Sequence, residues 1–244
     1  MARDIQQKKE QLPTVIDFAV DASDGMDGLT AQDYAIPYLT LLQKMSPQTD
    51  THDVKAGQIW NTVTEEAVDS MIVIPCAYTR NFVEWVPREQ GGGLVAVHTV
   101  DQLPEHTRVD NKLMTKTGNL LVETANHYVI IVSDDGLDRG LITMTSTQLK
   151  KNRRWNSLMA GLKMKDANGN MFTPARYSHQ YKLTTQQEKN DQGSWYGWDI
   201  ELSAPVADQG VYAMAKDFAA QVKSGAVQAG PPQQEPTVDT SDIM

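Results

Sequence analysis

Between Thr145 and Lys165 the sequence TSTQLKKNRRWNSLMAGLKMK carries six basic side chains, Lys150, Lys151, Arg153, Arg154, Lys163 and Lys165, and no acidic one. Clustered ammonium and guanidinium groups neutralise polyanions, above all nucleic-acid phosphates. The rest of the chain sharpens the contrast. Overall, 22 Lys and Arg stand against 31 Asp and Glu, and without these six the balance is 16 against 31, a net charge of −15 instead of −9. A concentrated basic patch on an acidic protein draws polyanions to one place while the remaining surface repels them. The plain alternative is a solvated helix face whose cations pair with the protein's own acids.

Two further groups could act with that patch. In RNFVEWVPREQGGG, Phe82 and Trp85 stand close to Arg80 and Arg88, and Gly91, Gly92 and Gly93 let the backbone bend or approach a ligand. Aromatic faces stack bases while arginine binds phosphate or stacks in its turn. Glu84 and Glu89 weaken the positive field there, and a structural turn with core aromatics fits the same residues. The glycine run is no nucleotide-binding loop, because no Gly-Lys-Ser/Thr follows and Leu94 to Val97 read as strand. Near the end of the chain, WYGWDIEL adds Trp195 and Trp198.

Other chemistries find little support. His52, His98, His106, His127 and His179 stand in no metal-ligand spacing and near no nucleophile elbow. Cys76 is the lone cysteine, which excludes internal disulfides and multi-cysteine zinc sites and points to a reducing compartment. It closes the apolar run from Met71 to Pro75 and reads as a buried, inert thiol. The DASDGMDG stretch lacks calcium-loop spacing, with Gln32 where a bidentate Glu is needed. Asp134, Asp135 and Asp138 read as a solvated turn. No cofactor and no metal are expected, and an enzyme is disfavoured, although a nuclease built from scattered carboxylates and a lysine leaves little trace in one sequence. No apolar run approaches the ~20 residues needed to cross a bilayer, and the polar start ARDIQQKKEQ is no signal peptide, so a soluble cytoplasmic protein without membrane contact is expected.

The elements that must position these residues follow from periodicity. At 100° per residue Trp155, Leu158, Met159 and Leu162 share a stripe bordered by Lys150, Arg154 and Lys165, which predicts a helix from about Thr145 to Lys165, capped by Ser146 or Thr147 and stopped by Asn168-Gly169. Residues 1–33 read as a polar acidic arm. The 34–223 segment reads as the folded domain. Its strands are expected at Ile59 to Val63, Met71 to Ile74, Tyr78 to Val86, Leu94 to Val97, Asn119 to Thr124, Tyr128 to Val132, Leu141 to Thr145, Tyr177 to Leu183 and Trp195 to Leu202. The stretch TTQQEKNDQGS is expected to be the turn of a closing hairpin. Val211, Met214, Ala215, Phe218 and Val222 predict a last helix ending at Ser224-Gly225. The fold class is therefore α+β, mainly β. The first choice of architecture is an elaborated OB-like antiparallel barrel with an inserted basic helix and a C-terminal helix, although strand material between Val100 and Thr145 exceeds a five-stranded barrel.

Residues 224–244 read as a disordered, Pro/Gln-rich acidic tail ending in Asp239, Asp242, Ile243 and Met244. This end resembles the C-terminal tip of bacterial and phage single-stranded-DNA-binding proteins, which recruits replication proteins. More widely, IPYLTLLQKMSPQ (36–48), RNFVEWVPREQGGG (80–93), TSTQLKKNRRW (145–155) and WYGWDIEL (195–202) resemble segments of a family of phage-encoded DNA-binding proteins associated with single-stranded DNA in replication and recombination. The resemblance implies a non-enzymatic binder of single-stranded DNA in the host cytoplasm, with replication or recombination proteins as partners of the tail. By residue type, phosphate contacts then fall to Arg80, Arg88, Lys150, Lys151, Arg153 and Arg154, and stacking to some of Phe82, Trp85, Trp155, Trp195 and Trp198. A structural or assembly protein, such as a virion component or replication scaffold, is the competing expectation.

Overall fold

A computed structural model of the protein describes residues 17–30, 33–110, 112–191 and 193–230. The chain forms two compact units, Met1–Tyr34 and Ala35–Met244. In the first, residues 17–30 are a succession of turns in which the Val20 N–H donates to the Asp17 carbonyl and the Met26 N–H to that of Ser23. All of these residues are exposed.

The second unit is mainly β. Its first half contains β1 (Tyr38–Leu41), the single-turn α1 (Gln48–Thr51), β2 (Ile59–Asn61), β3 (Glu66–Val68), β4 (Met71–Trp85) and β5 (Leu94–Thr99). Next come β6 (His106–Val109), β7 (Lys112–Thr115), β8 (Leu120–Ser133) and β9 (Gly136–Thr145), then helix α2 (Gln148–Gly161). The small hairpin β10 (Met164–Lys165) and β11 (Met171–Phe172) precedes the long hairpin β12 (His179–Asn190) and β13 (Gly193–Pro205), and α3 (Gln209–Ser224) follows.

Among the described residues, eleven strands make one sheet, ordered β13-β12-β4-β8-β9-β1-β2-β3, with β5 on β4 and the β6–β7 hairpin on β8. Among these strands only the β1–β9 pair is parallel. The sheet curls into a half-barrel, and side chains bridge the curl. The Gln43 amide accepts from the Tyr196 N–H at 2.8 Å and donates to the Tyr196 carbonyl at 3.0 Å, as a neighbouring strand would. Tyr196 lies over Gly57, where φ is +92° and a Cβ would meet the ring at 2.6 Å.

Alternation along the central strands sends side chains to two cores. Val73, Val129 and Ile142 face Trp155 and Met159 of α2, whereas Ile74, Ile130 and Leu141 face Phe218 and Val222 of α3. Between them the centre of the sheet is covered on both faces, which explains the near-continuous apolar runs of β4 and β8. Cys76 belongs to the second core, and burial pushes its thiol pKa up to about 12, so it is inert as a nucleophile at neutral pH.

Several expected boundaries move. Met71 to Ile74 and Tyr78 to Val86 are one 15-residue strand, bent by a register shift between Pro75 and Ala77. Asn126 and His127 do not break β8, because Asn126 accepts from the Thr143 hydroxyl and His127 is held from both sides. The strand material between Val100 and Thr145 is not surplus, since β8 lies at the centre of the sheet. The supposed turn TTQQEKNDQGS is largely a two-stranded ribbon paired out to Asn190 opposite Gly193. Helix α2 ends at Gly161, four residues early, as Leu162 turns extended; the turn at Asp166–Gly169 closes the β10–β11 hairpin instead. Neither Ser146 nor Thr147 caps α2 through its side chain. Gln148 anchors that end by accepting from the Trp198 N–H at 3.1 Å. For α3 the expected stripe and the Gly225 stop hold, with Asp208 capping the start. The chain stays docked beyond it, because Val227 is buried and the Ala229 N–H donates to the Tyr128 hydroxyl at 3.0 Å. The tail's Asp239, Asp242, Ile243 and Met244 lie outside the described residues.

A buried polar lock seats α2 on the sheet. His127 is fully buried, stacked on Trp155 at 4.4 Å, with Nε2 2.8 Å from Asn152 Oδ1 and Nδ1 2.6 Å from Arg176 Nη2. Arginine can only donate, so Nδ1 is the acceptor and Nε2–H the donor. Arg176 also donates to Asn156 Oδ1 at 3.0 Å, and its guanidinium lies over the Tyr78 ring. Burial and the nearby Arg176 charge drop the His127 pKa from 6.5 to about 3. Because the unfolded chain takes up this proton first, the stabilisation is full above pH ~6.5 and falls between there and about 3, by up to ~1.4 kcal/mol per pH unit. Urea unfolding across that window will show the decline, and His127→Gln will flatten it. Trp155→Ala is expected to cost ~3–5 kcal/mol, whereas Leu158→Ala, on the same stripe but 38% exposed, costs under ~1 kcal/mol.

Candidate functional site

Where the first half of α2 meets the β12–β13 ribbon there is a cleft of about 500 Å³, lined by Thr147, Lys150, Lys151, Arg154, Glu188, Lys189 and Trp195. Lys150 and Arg154 are one turn apart and both exposed, so their charges share the rim. Lys189 is exposed on the facing ribbon. Among the described residues none of these three cations is in an ion pair.

Glu188 is the internal counter-charge. Its position opposite Trp195 in the ribbon brings the carboxylate to the indole N–H at 3.2 Å, and Lys151 Nζ lies 2.5 Å from the other oxygen. Gln186 donates to it at 3.1 Å. Burial raises the Glu188 pKa, but the hydrogen bonds from Lys151, Gln186 and Trp195 together with the Lys151 charge outweigh it and hold the carboxyl below its usual range. The carboxylate thus tethers the Trp195 indole N–H, and the ring stands half-exposed beside three cations that are in no ion pair among the described residues. A flat aromatic face flanked by mobile positive charge can take a planar base and its phosphates.

Of the residues singled out by type, the fold brings together Lys150, Lys151, Arg154 and Trp195. Arg153 is exposed on α2 but outside the cleft lining. Trp155 and Trp198 are buried in the core under α2, and Phe82 and Trp85 are buried in the sheet near the β4–β5 turn, so these four rings offer no face to a base. The reason is alternation: Trp198 and Ile200 point inward, and Trp85 packs with Val83, Leu120 and Val122. Arg80 is engaged by Glu123 at 2.8 Å, and Arg88 sits in the short turn after β4, in a different part of the sheet from the α2 cleft. Gly91, Gly92 and Gly93 all have positive φ with open space around them, so they shape that turn.

Thr147, Glu188 and Lys189 escaped the reading of residue types. The two ribbon residues fell in a stretch read as turn, and only the strand register aligns Glu188 with Trp195. Glu188→Gln is expected to lower stability by less than ~1 kcal/mol at pH 7, since the pair is partly exposed. A lowered carboxylate pKa stabilises above the unfolded value, so the gap to wild type closes as pH falls from about 4.5 through the folded value. Urea titrations of both proteins at several pH values check this.

No curated protein and no solved structure matches the chain. A family model does match, over residues 6–228. With nearly the whole chain covered, including every residue of the cleft, the protein belongs to the Pam3 phage gp34-like protein family, a family of phage proteins.

Proposed function

We propose that this phage protein is a non-enzymatic binder of single-stranded DNA, acting in replication, recombination or repair in the host cytoplasm. The observation that carries the reading is the cleft in which Lys150, Lys151, Arg154 and Lys189 surround the half-exposed ring of Trp195. A single strand offers such a site unstacked bases and a continuous line of phosphates, whereas a duplex keeps its base faces hidden. In this reading the half-barrel is an OB-like platform and α2 is its basic wall. Arg153 extends the positive surface, and the acidic remainder of the protein keeps polyanions to one side. The tail residues Asp239, Asp242, Ile243 and Met244 would recruit replication or recombination proteins.

A second reading, an assembly protein, draws on β5. Among the described residues this strand pairs only with β4, and it exposes Leu94, Val95 and Val97, an apolar edge of the kind that joins chains.

Fluorescence anisotropy with labelled oligo-dT and a matched duplex, each at two salt concentrations, separates the two. Single-strand binding that weakens steeply with salt supports the first reading, and no saturable complex with either favours the second. Replacing Lys150, Lys151, Arg153 and Arg154 together by Gln should abolish binding without unfolding the protein, because Lys150, Arg153 and Arg154 are exposed and unpaired among the described residues. Trp60, Trp85, Trp155 and Trp198 are buried, so quenching on binding should come from Trp195 and vanish in Trp195→Ala, with affinity lowered about tenfold.

A further inference from the structure

The β10–β11 hairpin stands outside the main sheet. It forms a separate two-stranded sheet, with Met164 opposite Phe172 and Lys165 opposite Met171. Phe172 is 43% exposed, Met171 57% and Met164 40%, and none belongs to a core cluster. A two-stranded hairpin of this size gains little from burial. Yet it is tightly built. The Asp166 carboxylate accepts from the Asn168 and Asn170 backbone N–H groups, both at 2.8 Å, and Lys163 Nζ donates to the Thr173 hydroxyl at 2.6 Å. A rigid support presenting apolar side chains to water is the arrangement of a contact surface.

Charge and continuity indicate what it contacts. Lys163 and Lys165 are exposed on the hairpin, while its one acid is turned into the loop by those hydrogen bonds. Lys150, Arg154 and Leu158 descend α2 at four-residue spacing, so a single helical stripe leads from the Trp195 cleft towards the hairpin. The 14 residues of α2 cover about 20 Å, a distance that the ~4–16 nucleotides bound by one single-strand-binding module can bridge. We propose that the β10–β11 hairpin is a second contact for the same DNA strand, with Phe172 stacking on a base and Lys163 and Lys165 holding the phosphates beside it. The inference rests on the single-strand reading of the cleft.

The test uses the full chain and an oligo-dT of about twenty nucleotides. Phe172→Ala should weaken binding about tenfold. The Lys165→Gln variant, which leaves the Lys163–Thr173 hydrogen bond in place, should make the salt dependence shallower by about 0.7 in log–log slope, the share of one phosphate. Both should keep the wild-type melting temperature and, at saturating DNA, the wild-type Trp195 quenching. Wild-type affinity and slope in both variants would overturn the hairpin contact while leaving the cleft standing. Weaker binding accompanied by a lowered melting temperature would also overturn it, as damage transmitted through α2. If the wild-type protein does not bind oligo-dT, the cleft reading and the hairpin contact fall together.

Discussion

The seating of α2 depends on a histidine that must stay neutral. His127 lies in the middle of the central strand β8, fully buried, between the Trp155 ring and the side chains of Asn152 and Arg176. The arrangement joins three remote parts of the chain, the centre of the sheet, the basic helix and the short turn before β12. Among the described residues Arg176 is in no ion pair with a carboxylate, and the cost of burying its guanidinium is offset in part by neutral acceptors, the imidazole nitrogen and the Asn156 amide oxygen, and by the Tyr78 ring. Such a lock adds directional constraint to apolar packing. Trp155 and Met159 could pack in more than one rotation of the helix, but Asn152 meets His127 in only one.

That rotation determines which basic residues are usable. With Asn152, Trp155 and Met159 facing the sheet, Lys150, Arg153 and Arg154 point to water and Lys151 points across to the β12–β13 ribbon. Lys151 meets Glu188 there, and the pair ties helix to ribbon while the same carboxylate orients Trp195. One acid in a basic cleft thus has a structural effect, holding the ring, and an electrostatic one, moderating the local field. A phosphate entering the cleft would compete with Glu188 for Lys151 but finds Lys150, Arg154 and Lys189 unpaired among the described residues.

For a phage protein that keeps a net charge of −9, the gathering of six of its 22 basic residues between Thr145 and Lys165, with no acid among them, is the feature most in need of a functional account. The proposed single-strand binding would provide one, because clustered cations gain affinity by displacing the counterions of the phosphates they meet. The exposed edge of β5 is a separate surface. It is compatible with assembly on DNA, and it does not compete with the cleft for residues.

Short-range features were legible in the sequence. Periodicity was enough for α3 and its glycine stop, for the body of α2, for the closing hairpin and for the mainly-β class, because each depends on neighbours within a few residues. The charge concentration of α2 was also visible without a fold. Residue type could not separate Trp195, half-exposed beside the cations, from Trp155 and Trp198, which are buried, since the indole group serves a core and a binding face equally well. Nor could it reveal that Asn126 and His127 belong inside a continuous strand, because the partners that satisfy them lie on β4, β9, α2 and the turn before β12. Composition and local spacing therefore determined what kinds of group this chain could offer a polyanion. Which of those groups face solvent together was decided by strand register and by the buried contact between His127, Asn152 and Arg176, interactions between residues far apart in the chain that no local pattern encodes.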